Sequence, residues 1–243
     1  MNKHLLSPRF VFQGVFFFAS LLLLTACTNP KKDLKPKVGM INDNGHDYVD
    51  LNLPSGLLWA TCNVGAEIPE AYGDYFAWGE TKPKSDYSWS TLKYCNDGEG
   101  YSFSKYVINS DYGKVDNKTI LDYSDDAATA NWGGSWRMPT QEEWEELLDE
   151  RNCKLTWTTQ GEFNGYRVTS IRNGKSIFLP AAGYRYDTSL NSAGSYGDYW
   201  SSSLSESYPR HACNGFFYSN IRTPGNGCGY RFTGKPVRPV AAP

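Results

Sequence analysis

The chain has 243 residues, of which 21% are charged, 40% apolar and 15% aromatic, with 24 Lys+Arg against 26 Asp+Glu for a net charge of −2. No long basic run occurs, which excludes nucleic-acid binding through a broad phosphate footprint. An apolar fraction so rich in Trp and Tyr also excludes a disordered chain.

Residues 1–9 carry Lys3, His4 and Arg9 and no acid, and 10–24 are almost unbroken apolar. A positive stretch before a short apolar run reads as a secretory signal, because a span needs about 20 apolar residues. The run ends in Leu24-Thr25-Ala26-Cys27, which resembles the lipobox of bacterial lipoproteins. The resemblance implies cleavage before Cys27, lipidation of Cys27 and a membrane partner held through that N-terminal lipid. Several acyl chains anchor stably where one is marginal. Loss of 1–26 removes Lys3 and Arg9 and no acid, taking the net charge from −2 to −4. Residues 27–44 then form the lipidated cysteine and a polar, basic, Pro-containing tether. Thr28 stands where inner-membrane retention uses Asp, so the expected location is the cell envelope, at the outer membrane, periplasmic or surface-facing.

From 45 to 243 no linker, charge block or fixed-period repeat appears, so these residues are expected to form one domain. Turn-forming clusters recur about every ten residues, as in a loop-rich β protein. Strands are predicted at 48–51, 57–61 and 75–78. A short helix follows from Asp125 to Ala130, capped by Asp125. The clearest helix starts at Thr140, where Thr140-Gln141-Glu142-Glu143 is a capping box behind Pro139. Trp144, Leu147 and Leu148 give it an apolar stripe, its acidic face reads as solvated, and Arg151 is expected in the last turn. A hairpin is predicted from 165–171 and 176–179, with Asn173-Gly174 supplying positive φ angles. Further strands are expected at 199–202, 214–219, 230–232 and 237–240, the last confined to an edge by Pro236 and Pro239.

Six cysteines occur, and with Cys27 spent on lipid an odd number remain, so at most two internal bridges form. Cys213 and Cys228 flank the last aromatic strand pair and are the expected disulfide. The pairing of Cys62, Cys95 and Cys153 stays open. No CxxC is present, which removes the basis for a zinc ribbon or a thioredoxin-type site.

Several stretches, taken in order, carry a family resemblance. They are Asp47-Tyr-Val-Asp-Leu-Asn-Leu-Pro-Ser-Gly-Leu-Leu-Trp-Ala-Thr-Cys-Asn-Val-Gly65, Tyr72-Gly-Asp-Tyr-Phe-Ala-Trp-Gly-Glu80 and Asp126-Ala-Ala-Thr-Ala-Asn-Trp-Gly-Gly-Ser-Trp-Arg-Met-Pro-Thr140. They continue through Ile177-Phe-Leu-Pro-Ala-Ala-Gly-Tyr184, Tyr199-Trp-Ser-Ser-Ser203 and Val237-Arg-Pro-Val240. Together these resemble the Fibrobacter succinogenes major paralogous domain over nearly all of 46–240, a family abundant in lipoproteins of Bacteroidetes-type bacteria. The resemblance implies an α+β, C-type-lectin-like fold with small twisted antiparallel sheets, few helices, long loops and paired terminal strands. Arg137 is expected to hold a loop through carbonyls, and Trp132, Trp136 and Trp144 to fill core.

Sugar-binding C-type lectins, which the fold resembles, hold calcium with Glu-Pro-Asn or Gln-Pro-Asp and Trp-Asn-Asp. None of these occurs, and Trp200 is followed by three serines. Asp111, Asp116, Asp122, Asp125 and Asp126 offer oxygens to a hard cation, though a solvated loop and a helix cap explain them. A formylglycine-generating-enzyme-like oxidase, or another envelope enzyme, is the alternative reading. Its copper needs two closely spaced cysteines, whereas Cys213 and Cys228 are fifteen residues apart. After cleavage only His46 and His211 remain as imidazoles, and no Gly-x-Ser-x-Gly occurs. No catalytic residue, metal or cofactor is assigned. The stretch from Tyr184 onward is more aromatic than one core face needs, and aromatic faces beside carboxylates suit glycans or peptides. The expected reading is a non-catalytic binding or adhesion module for a glycan or an envelope protein. Its ligand residues are Tyr184, Tyr186, Asp187, Asp198 and Tyr208.

Overall fold

The computed structural model describes residues 40–219 and 225–243. The signal segment 1–26, Cys27 and the tether as far as 39 lie outside the described residues. In chain order the strands are β1 (Met40–Asp43), β2 (His46–Asp50), β3 (Leu58–Ala60), β4 (Cys153–Gln160), β5 (Phe163–Ser170) and β6 (Ser176–Pro180). They continue with β7 (Tyr184–Tyr186), β8 (Ser189–Asn191), β9 (Tyr196–Leu204), β10 (His211–Tyr218), β11 (Gly225–Tyr230) and β12 (Val240–Ala241). The helices among the described residues are α1 (Ala127–Trp132) and α2 (Gln141–Leu148). The architecture is therefore small antiparallel sheets with few helices, with orders β1-β2-β3-β12, β11-β10-β9, β4-β5-β6 and β7-β8.

Local chemistry accounts for most of these elements. In α2 the Thr140 hydroxyl accepts from the Glu143 N–H, and the Glu143 carboxylate accepts from the Thr140 N–H, so two orphan donors are satisfied reciprocally. Trp144, Leu147 and Leu148 face the core. The helix stops at Leu148 because Asp149 turns extended and its carboxylate takes the Arg151 N–H. Arg151 consequently lies beyond the helix, paired with Asp149, not in a last turn. The α1 cap is Asp126, which accepts from Thr129 N at 2.9 Å and from Met138 N at 2.8 Å. Asp125 does not cap α1; it ends a single 3-10 turn, Tyr123–Asp125.

In the β5–β6 hairpin, Tyr166 lies opposite Leu179 and Val168 opposite Ile177, so one face of the pair is apolar and buried. Of the two turn residues expected at positive φ, only Gly174 has one, at 72°. Asn173 instead acts through its side chain, which donates to Asp50 O and accepts from Lys175 N. Residues 75–78 do not become a strand. Phe76 exchanges backbone bonds with Lys235, and Trp78 donates to Arg231 O, but the ladder closes only one bridge. Residues 231–232 likewise fall beyond the end of β11.

All nine residues of β9 are buried although it is the edge of its sheet. Loops occupy its free edge: Trp200 N donates to Pro236 O, Ser202 N to Pro139 O, and Ser202 O accepts from Leu121 N. Successive β9 side chains point to opposite faces. Trp200 therefore joins one core with Trp78, Trp132 and Trp136, while Tyr199 joins a second with Trp59, Trp144 and Phe217. A third cluster gathers Tyr75, Tyr87, Phe103 and Phe232. The two ends of the domain meet where β12 pairs with β3, Val240 opposite Trp59. Arg137 grips Glu143 in two bonds of 2.7 and 2.6 Å and only one carbonyl, that of Met138 at 3.1 Å. It acts chiefly as an ion pair on α2, not as a carbonyl clamp.

Candidate functional site

An exposed aromatic cluster is assembled from four chain regions. Rings run from Tyr186 to Phe232 (5.1 Å), to Tyr230 (5.5 Å), to His211 (4.6 Å) and to Tyr208 (5.5 Å). Trp89 packs on Phe232 at 4.7 Å and on Tyr230 at 5.6 Å. The Arg210 guanidinium lies over Tyr101 at 4.4 Å, Trp89 at 4.9 Å and Tyr230 at 5.4 Å, and donates to Glu99 O. Tyr208 is 61% exposed, Tyr101 55%, Tyr186 44% and Tyr230 40%. Beneath them Phe232 is buried, so the exposed rings stand on packed core. Burial, followed by the charges of Arg210, Lys235 and Arg231, lowers His211 below the ordinary imidazole value. That ring is therefore neutral at neutral pH and contributes as an aromatic.

Of the residues expected to contact ligand, Tyr186 and Tyr208 lie at the two ends of this platform. Tyr184 turns away, edge-on to Tyr196 at 6.1 Å. Asp187 adopts a left-handed conformation (φ 51°) at the tip between β7 and β8, and its backbone pairs with Tyr87. Asp198 does not face a ligand. It is buried, with Lys235 Nζ at 2.8 Å and the Asn214 amide donating to the same oxygen at 2.5 Å. Both faces of β9 are covered, so Asp198 is buried with the rest of the strand. On the other side of the β7–β8 tip is an open cleft of 620 Å³, where Arg185, Lys84 and Asp74 meet Tyr75 and Tyr87.

Trp89, Tyr101, Arg210 and Tyr230 were not among the expected contacts. Trp89 opens a single 3-10 turn and Tyr101 sits in a loop, neither marked by periodicity, and Arg210 became central only because Glu99 and Trp89 fold onto it. The sole signal in the sequence was the aromatic density itself.

Several other candidate residues have internal partners. His46 stacks on Trp132 at 3.7 Å and 5°. Asp116 accepts from Tyr106 N, Val107 N and Lys118 N, and Asp122 pairs with Lys105 and Lys118. Among the described residues no group of three or more His, Cys, Asp or Glu is placed to hold a metal ion. Cys213 and Cys228 lie directly opposite each other on β10 and β11 with sulfurs 3.6 Å apart, as thiols. Cys62, Cys95 and Cys153 are also thiols.

Asp125 is a buried carboxylate that accepts from four side chains, Lys93, Tyr94, Lys105 and Tyr106, at 2.5–2.9 Å. Burial alone would raise it, but these bonds outweigh burial and hold it well below its ordinary 3.8. A carboxylate with a depressed folded pKa stabilises fully above its unfolded value, and that contribution is lost as pH falls toward the folded one. Asp125→Asn is therefore expected to lower unfolding free energy at about pH 7, with the gap to wild type narrowing toward about pH 3. Urea titrations at the two pH values check this, and a gap that widened in acid would contradict it.

Comparison with family models, with curated proteins and with solved structures finds no match. No helix among the described residues is long and apolar enough to cross a membrane.

Proposed function

We propose that the chain is a cell-envelope lipoprotein of the Fibrobacter succinogenes major paralogous domain family. Its C-type-lectin-like domain binds a glycan, or a protein of the envelope, without turning it over. The observation that carries this reading is the platform of exposed Tyr101, Tyr186, Tyr208 and Tyr230 around the Arg210 guanidinium. Sugar rings present apolar C–H faces that stack on aromatic rings, and a guanidinium held flat between rings donates to hydroxyl or carboxylate oxygens. A rigid β scaffold supporting loop-borne side chains is the arrangement on which binding sites are commonly built.

Capture of surface glycans on an array by the detergent-solubilised chain tests this. Tyr101→Ala and Tyr186→Ala are each expected to weaken capture about tenfold while changing stability by no more than about 1 kcal/mol. Both side chains are largely exposed, so lost affinity does not trace to a lost core. Capture indifferent to both changes would remove the platform from the binding reading. Turnover of the captured glycan would overturn the non-catalytic one.

A further inference from the structure

We infer that Cys213 and Cys228 form a reactive dithiol that exchanges with cationic disulfides, with Cys228 as the attacking sulfur and Cys213 as the resolving one. This goes beyond ligand binding by the platform and does not rest on it.

The geometry begins with β9. The register between β9 and β10 slips between Ala212, opposite Leu204, and Asn214, opposite Trp200. Ser201, Ser202 and Ser203 bulge across from Cys213, with the Ser201 hydroxyl donating to Cys213 O. A bulge leaves the ladder open and re-aims its flanks. Here it opens a cavity of 340 Å³ whose lining includes both cysteines, Ser205, Glu142, Glu206 and Tyr208. Cys213 is buried and Cys228 exposed, so only one sulfur meets an incoming reagent.

The two thiols are also chemically unequal. The hydrogen bond shared with Cys213 is the largest influence and lowers Cys228 against some desolvation; Ser205 and Lys235 add to this. Cys213 moves up, through that same bond, burial, Glu142 and Glu145. Lys235 lies close by because position 229 is glycine: a Cβ there would sit 2.5 Å from Lys235 Nζ. Burial raises Cys62, Cys95 and Cys153 instead, so none of them competes as a thiolate.

The exchange balances without a further reagent. Cys228 thiolate attacks one sulfur of R–S–S–R′, a Cys228–S–S–R bond forms, and R′S⁻ leaves and takes a proton from water. Cys213 then gives its proton to solvent and attacks Cys228 Sγ, expelling RS⁻, which is protonated in turn. The disulfide is reduced to two thiols and the pair is oxidised to a Cys213–Cys228 disulfide. Glu142 and Glu206 line the cavity and no Lys or Arg does, so a disulfide bearing ammonium groups is favoured over an anionic one.

The test treats the fully reduced full-length chain with cystamine or with oxidised glutathione and follows intact mass with site mapping. Wild type should end with a Cys213–Cys228 disulfide and two released cysteamines. Cys213→Ser should hold a stable adduct on Cys228, and Cys228→Ser should react about tenfold more slowly. Cystamine should outpace glutathione, with the preference shrinking in Glu142→Gln. If either cysteine variant fails to fold, limited iodoacetamide labelling of wild type decides, and Cys228 should be alkylated first. First attack at Cys62, Cys95 or Cys153, or equal rates in Cys228→Ser, would overturn the proposal. So would a Cys213–Cys228 bridge that excess cysteamine never reopens and that raises the melting temperature, because that bridge would be structural.

Discussion

Removal of residues 235–243 is expected to abolish the cooperative thermal transition of the whole domain. This short segment carries β12, whose Val240 pairs with Trp59, and its backbone bonds reach Ala60, Val64, Phe76, Arg137 and Trp200. It also carries Arg238, which is fully buried. The Arg238 guanidinium donates to Asn63 Oδ1 at 2.8 Å, to Ala60 O at 2.9 Å, to Phe178 O at 2.9 Å and to Thr61 O. Without it, carbonyls at the β3 end and in β6 are stranded in the interior, and each buried unsatisfied group costs about 1–3 kcal/mol. A domain is only marginally stable, by about 5–15 kcal/mol, so losing the strand and the guanidinium together exceeds what the remainder supplies. Circular dichroism melting checks this, and a truncated chain that melts like the full one would show that the ends do not support each other.

Asp198→Ala is expected to destabilise the domain by about 3–5 kcal/mol, because it leaves the Lys235 ammonium buried and unpaired. Lys235 and Asp198 are both buried, 2.8 Å apart, and the Asn214 amide leans on the same carboxylate oxygen. Burial holds Lys235 below its ordinary 10.5, against the attraction of Asp198. Removing Asp198 lowers it further. The unfolded lysine then binds its proton more tightly than the folded one, so stability rises with pH. The deficit of Asp198→Ala is thus expected to narrow as pH climbs toward 10.5, the ordinary lysine value. The pair Asp198→Leu with Lys235→Met should regain most of the loss, since two apolar groups strand no charge. Urea unfolding of the single and double variants across pH measures both statements.

These two sites also mark where the sequence could be read and where it could not. Helix α2 was legible because its signals are local: a capping box at Thr140 and Glu143, and an apolar stripe at helical spacing. The β5–β6 hairpin was legible from alternation and one glycine, although Asn173 proved to act through its side chain. The edge position of β12 followed from prolines that cannot donate to a ladder. Asp198 read as a ligand contact because it stands among tyrosines, yet its strand is covered on both faces and a lysine 37 residues away pairs with it. Asp125 read as a helix cap because it precedes an alanine run, yet lysines and tyrosines 19 to 32 residues away enclose it.

The sequence by itself determined the strand-rich character, the capped helix α2 and the β5–β6 hairpin. Each is written in spacings of a few residues or in bulk hydrophobicity, which act whatever the chain does elsewhere. Only the tertiary structure decided that Arg238 ties both ends of the domain, that Asp198 serves Lys235, and that Arg210 sits among Trp89, Tyr101 and Tyr230. The physical reason is that charges and hydrogen bonds are satisfied by whichever partner arrives within about 3 Å. For these side chains the partner arrives from far along the chain, as from Ala60 to Arg238, 178 positions apart.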